Sequence, residues 1–245
     1  MLRPRFYTSQ TLSDAPDSIT LESEPSRHIA KSLRMRVGDS LCLFDGTGRE
    51  VTAEIAAIEK NSVHVSHAGA LAVSRESRLN VTLLISLSRG DRMDTVVQKA
   101  TELGVNRIVP LISERTGVRL DENRLARKRD HWEKIAISAC EQCGRNTLPI
   151  IEATIPFDDA LTLFESNSSL KLALYPTASA ASLPEECDDV TLLIGPEGGF
   201  SDRELNAAVA SGFEAFLLGP RVLRTETAPL AAIAVMQARW GDLLA

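Results

Sequence analysis

The chain has 245 residues, 44% hydrophobic and 24% charged, the composition of an ordinary globular protein with room for one or two cored domains. Its longest apolar stretches, VTLLISLS and APLAAIAVM, are too short to span a bilayer, the N-terminal MLRPRFYTSQ has no secretory apolar run, and four cysteines make no disulfide framework; a cytoplasmic protein with no membrane partner is expected. The net charge of -6 disfavours nucleic acid only as a total, because residues 81–149 hold twelve Lys/Arg against nine Asp/Glu while residues 150–245 hold five against fourteen.

Residues 1–72 read as short strands and turns, in RFYTS, SLCLFDGTGREVTAEIAAI and NSVHVSHA. DGTG between alternating apolar runs predicts a hairpin. Only Ser26–Arg34 reads as helix, through Ile29, Ala30 and Leu33, and His64 and His67 fall on a strand as structural or exposed residues. A small β domain is predicted over 1–72, followed by a linker at 73–78 within the small and polar HAGALAVSRESR. From Leu79 the rhythm changes. LNVTLLISLS is a continuous apolar strand, DRMDTVVQKATELG a helix closed by Gly104, and VNRIVPLIS a further strand. A basic amphipathic helix spans about 122–142, and LKLALYP, VTLLIG and EAFLLG are strands that each run into a loop and a helix. Continuous apolar strands alternating with helices predict an α/β domain over 79–245, its parallel sheet covered on both faces. Such sheets bind ligands outside the carboxyl ends of their strands, which points to YPT, GPEGG and GPRVLRTET.

In LLIGPEGGFSDRE (192–204) a buried strand stops at Gly195-Pro196, two glycines follow, and Ser201 and Glu204 form the S-x-x-E capping box of a new helix. A simple strand–helix junction needs one glycine, so the segment reads as a ligand loop; it is neither the Rossmann nor the P-loop fingerprint. LLGPRVLRTETAPL (217–230) repeats the plan. Thr225 or Thr227 can cap the last helix and Pro229 fits its first turn, which leaves Arg221, Arg224 and Glu226 unexplained beside buried strands. CEQC (140–143) puts two thiols on one helix face with no further ligand pair, so it reads as core and no metal is expected. Arg124, Arg127, Lys128 and Arg129, with Arg115 and Arg119 upstream, form either a solvated helix face or an RNA-backbone patch. The terminal APLAAIAVMQARW is apolar nearly all round and must be covered, by its own domain or by a second subunit.

Together LLIGPEGGFSDRELNAAVASGF and LLGPRVLRTETA resemble the signature of the RsmE family, bacterial 16S rRNA uracil-N3 methyltransferases of the SPOUT superfamily. SRGDRMDTVVQKATELGVNRIVPLISERT and EQCGRNTLP lie upstream in the matching order. The likeness is close over about 80–245 and looser over 1–75, where RHIAKSLRMRVGD fits the family pattern with Ser32 in place of the usual apolar residue.

This resemblance implies a C-terminal trefoil-knot α/β domain, an N-terminal PUA-like β domain that helps hold RNA, a homodimer, and S-adenosyl-L-methionine as cofactor. Its substrate would be the 16S rRNA of the small ribosomal subunit. The cofactor would lie among Leu174, Pro176, Ile194, Gly195, Pro196, Gly198, Gly199, Leu218, Gly219, Leu223, Thr225, Thr227 and Ala228. Glycines 195, 198 and 219 would be needed because a side chain there would occupy the ligand's space. Uracil N3 must lose its proton, with Glu226 the first candidate base and Glu197 the second, and Arg224 the cation facing the base. Arg5, Arg27, Arg34, Arg36, Arg89, Arg92, Arg115 and Arg145 are the candidate RNA contacts. The rival readings are another knotted RNA methyltransferase, acting on a ribose 2′-OH or a tRNA base, and a catalytically silent RNA-binding assembly factor.

Overall fold

The computed structural model describes residues 3–12, 18–67, 71–72, 74–117, 121–164, 169–175 and 183–244. They form two compact units, Met1–Glu76 with Ile137–Leu148, and Ser77–Ala136 with Pro149–Ala245. The return of residues 137–148 to the first unit is invisible to a reading along the chain, because that segment continues a regular helix.

The first unit is a sheet of order β1-β3-β4-β5-β2, with β6 on β4. Its strands are β1 (Arg5–Tyr7), β2 (Ser18–Thr20), β3 (Ser40–Phe44), β4 (Arg49–Ile58), β5 (Val63–His67) and β6 (Leu71–Ala72). The DGTG turn joins β3 to β4 as predicted, with Gly46 and Gly48 at positive φ. Alternation on β4 and β5 sends Val51, Ala53, Ile55, Val63 and Val65 into a core with Phe6, Ile19, Ile29, Leu41 and Leu43. The predicted helix Ser26–Arg34 differs. It is a short α-helix, α1 (Ser23–Arg27), that widens into a π-helical turn over His28–Ser32 and stops at Arg34, whose φ is 53°. Ser32 is exposed there, so a polar residue is at home.

Ion pairs tie 137–148 into this unit. Arg5 Nη1 donates to Glu50 at 2.7 Å and Arg75 Nη1 to the same carboxylate at 2.9 Å, while Arg75 also reaches the Gly144 carbonyl. Burial pushes the Glu50 carboxyl up, but the two guanidiniums outweigh it and hold it at about 2. Arg145, 4% exposed, donates to Glu76 at 2.6 Å. Arg5 and Arg145 were expected at RNA phosphates; both are instead spent inside the unit, since a buried guanidinium needs a fixed carboxylate. Cys140 is fully buried and Cys143 half-buried; hydrogen bonding to Cys143 and burial raise the Cys140 thiol, as befits a core residue.

The second unit is a parallel sheet of order β10-β8-β7-β12-β11-β13, with β9 on β8. Its strands are β7 (Asn80–Ser86), β8 (Arg107–Ile112), β9 (Ile150–Ile151), β10 (Ile155–Pro156), β11 (Leu170–Leu174), β12 (Asp189–Ile194) and β13 (Glu214–Phe216). Accompanying them are the helices α2 (Arg92–Glu102), α3 (Glu122–Cys143, whose last turns belong to the first unit), α4 (Phe157–Phe164), α5 (Asp202–Ala210) and α6 (Thr227–Trp240). Leu83, Ile85, Ile108, Leu172 and Leu192 face one layer with Val97, Trp132, Ile233, Met236 and Trp240. Leu84, Val109, Ala173 and Leu193 face the other with Phe157, Phe164, Phe200 and Phe213. Burial on both faces explains why these strands read as unbroken apolar runs. No helix among the described residues is long and apolar enough to cross a membrane.

The apolar last helix is only half covered. Pro229, Ala232, Ile233, Met236 and Trp240 are buried, while Leu230, Ala231, Ala234 and Ala238 are partly exposed and Val235 is 41% exposed. On α3, Arg124 pairs with Asp121 and Arg129 with Glu133, and Lys128 lies over the Trp132 ring, the pattern of a solvated helix face. Arg119 lies outside the described residues.

Candidate active site

Three strand ends build the site. The chain runs outward from β7 to β8, β9 and β10, then returns to place β11, β12 and β13 on the other side. Because the sheet is parallel, β11, β12 and β13 all end at the same edge, at Leu174, Ile194 and Phe216. The two Gly-Pro loops rise from that edge and, with Arg92 and Tyr175, enclose a cavity of about 390 Å³. This is the size and place of a small-molecule site in an open parallel sheet.

Lining the cavity are Leu174, Ile194, Gly195, Pro196, Gly199, Leu218, Gly219, Leu223, Thr225 and Ala228, together with Glu197, Arg224 and Glu226. Gly198 and Thr227 do not line it. A Cβ on Gly198 would lie in ordinary contact with Arg115, at 3.4 Å, so this glycine faces an arginine and not the cavity. Thr227 is taken up with the helix start, its N–H bonding to the Arg224 carbonyl at 2.9 Å. Pro176 lies outside the described residues. The other two glycines also have reasons of their own. At Gly195 a Cβ would press on Phe200, 3.3 Å from its ring and backbone nitrogen, and Gly219 sits at φ 73°, which a side chain resists.

The helix after the first loop starts as predicted: Ser201 Oγ accepts from the Glu204 N–H at 3.2 Å, and Glu204 Oε2 accepts from the Ser201 N–H at 2.8 Å. The last helix does not. Its N-cap is Glu226, with no side-chain cap from Thr225 or Thr227, because the backbone turn closed on the Arg224 carbonyl already takes the first amides.

The electrostatics centre on Arg92, at the start of α2. Its Nη1 binds Glu197 Oε1, and its Nε lies 3.6 Å from Glu226 Oε2, so one guanidinium meets a carboxylate from each loop. Burial raises the Glu197 carboxyl, but hydrogen bonds from its own backbone N–H, the Arg89 N–H and Arg92, with the Arg92 charge, outweigh that and hold it below the ordinary carboxylate value. A carboxyl clamped by Arg92 and held below its ordinary value is a weaker proton acceptor than a free one, so the geometry favours Glu226 over Glu197 as the base. Glu226 is half-buried, accepts from Thr225 Oγ1 at 3.4 Å and lies 3.9 Å from Arg224 Nη1. Arg224 is 81% exposed at the side chain.

Of the remaining arginines, Arg27, Arg34 and Arg36 are exposed in the first unit and Arg89 and Arg115 in the second. Arg92 lines the cavity, and its signal in the sequence was that SRGDRMD follows the end of β7. Tyr175, Phe200, Phe216, Leu217, Arg221 and Val222 also line the cavity. Arg221 stands out in the sequence as a charge unexplained beside a buried strand; for the others the sequence signal is adjacency to a strand end.

Residues 75–237 match the family model described as an RNA methyltransferase domain, and residues 21–66 match an RNA methyltransferase PUA domain. A Buchnera aphidicola protein named ribosomal RNA small subunit methyltransferase E is 36% identical over 98% of both chains. The chain belongs to the ribosomal RNA small subunit methyltransferase E family. A member from Neisseria gonorrhoeae, solved bound to S-adenosyl methionine, is 40% identical with a TM-score of 0.89, covering 98% of this chain and 99% of that one. A methyltransferase from Legionella pneumophila, in complex with the cofactor SAM, is 42% identical with a TM-score of 0.93 over 99% and 100% of the two chains. The fold is accordingly that of the SPOUT methyltransferases with a PUA domain, as the loop signatures had implied.

Proposed function

We propose that this protein transfers a methyl group from S-adenosyl-L-methionine to N3 of a uracil in the 16S rRNA of the small ribosomal subunit. The observation that carries the proposal is the strand-end cavity between two Gly-Pro loops, in a chain 40% identical to a methyltransferase E solved with that cofactor. The residues fit the group: an apolar recess of about 390 Å³, with backbone exposed at Gly195, Gly199 and Gly219 and carboxylates at its mouth, suits a nucleoside carrying a positive charge. Leu174, Ile194, Leu218, Leu223 and Ala228 would supply its apolar walls and Thr225 a hydroxyl.

When bound, the cofactor supplies an electrophilic methyl on a sulfonium, already activated, so the protein's task is mainly positioning. Glu226 would accept the N3 proton of the incoming uracil. Arg224, exposed at the rim and 3.9 Å from Glu226, would approach a uracil carbonyl oxygen and stabilise the charge that develops there. The target base must be single-stranded or turned out, because N3 is hidden in a base pair. Arg27, Lys31, Arg34 and Arg36, a run of exposed cations in the first unit, and Arg89 in the second are the phosphate contacts we favour. We assign the protein to the cytoplasm on the same reading, since its substrate is ribosomal, and place a second copy of the chain against the uncovered apolar face of α6.

The test is methylation of small subunits from cells that lack this protein, followed by mass spectrometry of the nucleosides. 3-Methyluridine is the expected product; a 2′-O-methyl nucleoside would favour the ribose reading, and no product at all the silent assembly factor. With Glu226→Gln at saturating cofactor, the rate should fall about 100-fold or more, the contribution of a positioned general base. An undiminished rate takes Glu226 out of the chemistry.

A further inference from the structure

The short loop Ser113–Gly117, between β8 and α3, is built against the glycine loop of the site at several points. It is stiff by itself: Ser113 N–H donates to Thr116 Oγ1 at 2.9 Å, and Thr116 N–H returns to the Ser113 carbonyl at 3.0 Å. From this turn Arg115 Nη1 donates to the Gly198 carbonyl at 3.0 Å, with the arginine's stem on the side where a Gly198 side chain would begin. The Glu114 N–H donates to Glu204 Oε1 at 2.8 Å, and the Glu114 carboxylate pairs with Arg203. Glu204 is fully buried, and its two oxygens divide between the two loops, one on Glu114 N–H and the other on Ser201 N–H. Gly117 leaves room for the Arg89 side chain, whose backbone N–H holds Glu197.

Hydrogen bonds therefore hold the glycine loop from outside the cavity at Glu197, Gly198 and Ser201. We propose that Ser113–Gly117 is a brace for this loop, with Arg115 and Glu204 as positioning residues. Arg115 thus sets affinity for the nucleoside cofactor, where the sequence suggested that it grips RNA. The proposal rests on the reading of the cavity as the S-adenosylmethionine site. The physical reason is orientation. Gly198 and Gly199 have no side chains to lock their peptide planes, and a loop that binds through backbone must have those planes fixed beforehand or lose affinity in ordering them. A guanidinium on the Gly198 carbonyl fixes the 198–199 peptide, whose N–H is bonded to the Pro196 carbonyl at 2.8 Å. Glu204 fixes the exit at Ser201.

The test measures S-adenosylmethionine binding by calorimetry on the full chain, without RNA, alongside saturation kinetics and RNA binding across a salt series. Arg115→Ala should bind the cofactor roughly five- to tenfold more weakly, the effect of one charge-assisted hydrogen bond at an exposed position. The rate at saturating cofactor should stay within about twofold of wild type, and RNA affinity and its salt slope should not change. Arg115→Lys, which still presents a donor, should recover most of the affinity. Glu204→Gln keeps the shape but turns a donor toward a backbone N–H, and should weaken cofactor binding too. Cofactor affinity unchanged in Arg115→Ala would overturn the brace, and so would a loss confined to RNA binding with a reduced salt slope, which returns Arg115 to the phosphate contacts. No binding by the wild-type chain would overturn the cofactor reading and the brace with it.

Discussion

Replacing Glu50 by Gln tests whether Arg5 and Arg75 are structural. The Glu50 carboxyl sits at about 2, against an ordinary value of 4.5. At about 1.4 kcal/mol per pKa unit the gap corresponds to roughly 3 kcal/mol of folded-state stabilisation. Because Arg75 is 42% exposed and screened by solvent, about 2 kcal/mol is the better figure. The folded value lies below the unfolded one, so this stabilisation is complete above about pH 4.5 and is lost as the pH falls toward 2. Hydrogen exchange of the β4 amides, corrected for intrinsic rates, reports opening of the first unit by itself. Near neutral pH, Glu50→Gln should open more easily than wild type by about 2 kcal/mol, and near pH 3 the difference should shrink to less than about 1 kcal/mol. The same gap at both pH values would refute the reasoning. Arg5 acting as a phosphate contact makes a different prediction: RNA binding would rise in Glu50→Gln with exchange unaltered.

Other substitutions probe the site and its supports. Gly219→Val, a β-branched residue forced to φ 73°, should weaken cofactor binding at least tenfold by calorimetry; unchanged affinity would show that the second loop does not touch the ligand. Ser201→Ala removes the cap of α5 and should cost about 1 kcal/mol in urea unfolding, with Thr at this position close to neutral. The dimer proposed above predicts a dimeric wild type in sedimentation and a monomeric Val235→Asp, substituted on the open face of α6, with secondary structure kept. A dimer that persists in this variant would place the second copy elsewhere.

Much of the fold was legible because it was written in period and punctuation. The apolar runs 81–85 and 190–194 could only be strands buried on both faces, and Ser201 with Glu204 announced a helix start that the structure shows bond for bond. Likewise the two Gly-Pro loops could be placed side by side, since strand ends in a parallel sheet share one edge. Strands of two or three residues, such as β2, β9 and β10, carry too few positions for a period and were not legible. Neither was the fate of individual charges. Arg5, Arg92, Arg115 and Arg145 look alike as letters, yet one pair is locked inside the first unit, one joins two carboxylates in the cavity and one holds a backbone carbonyl. What an arginine does depends on which carboxylates and carbonyls lie within about 4 Å. Those partners stand from 45 residues away, for Arg5 and Glu50, to 140, for Arg5 and the Arg145 carbonyl. Local sequence decides where strands end and loops begin, because that rests on neighbours in the chain; only the folded sheet, which brings distant strand ends to one edge, decides which charges meet there.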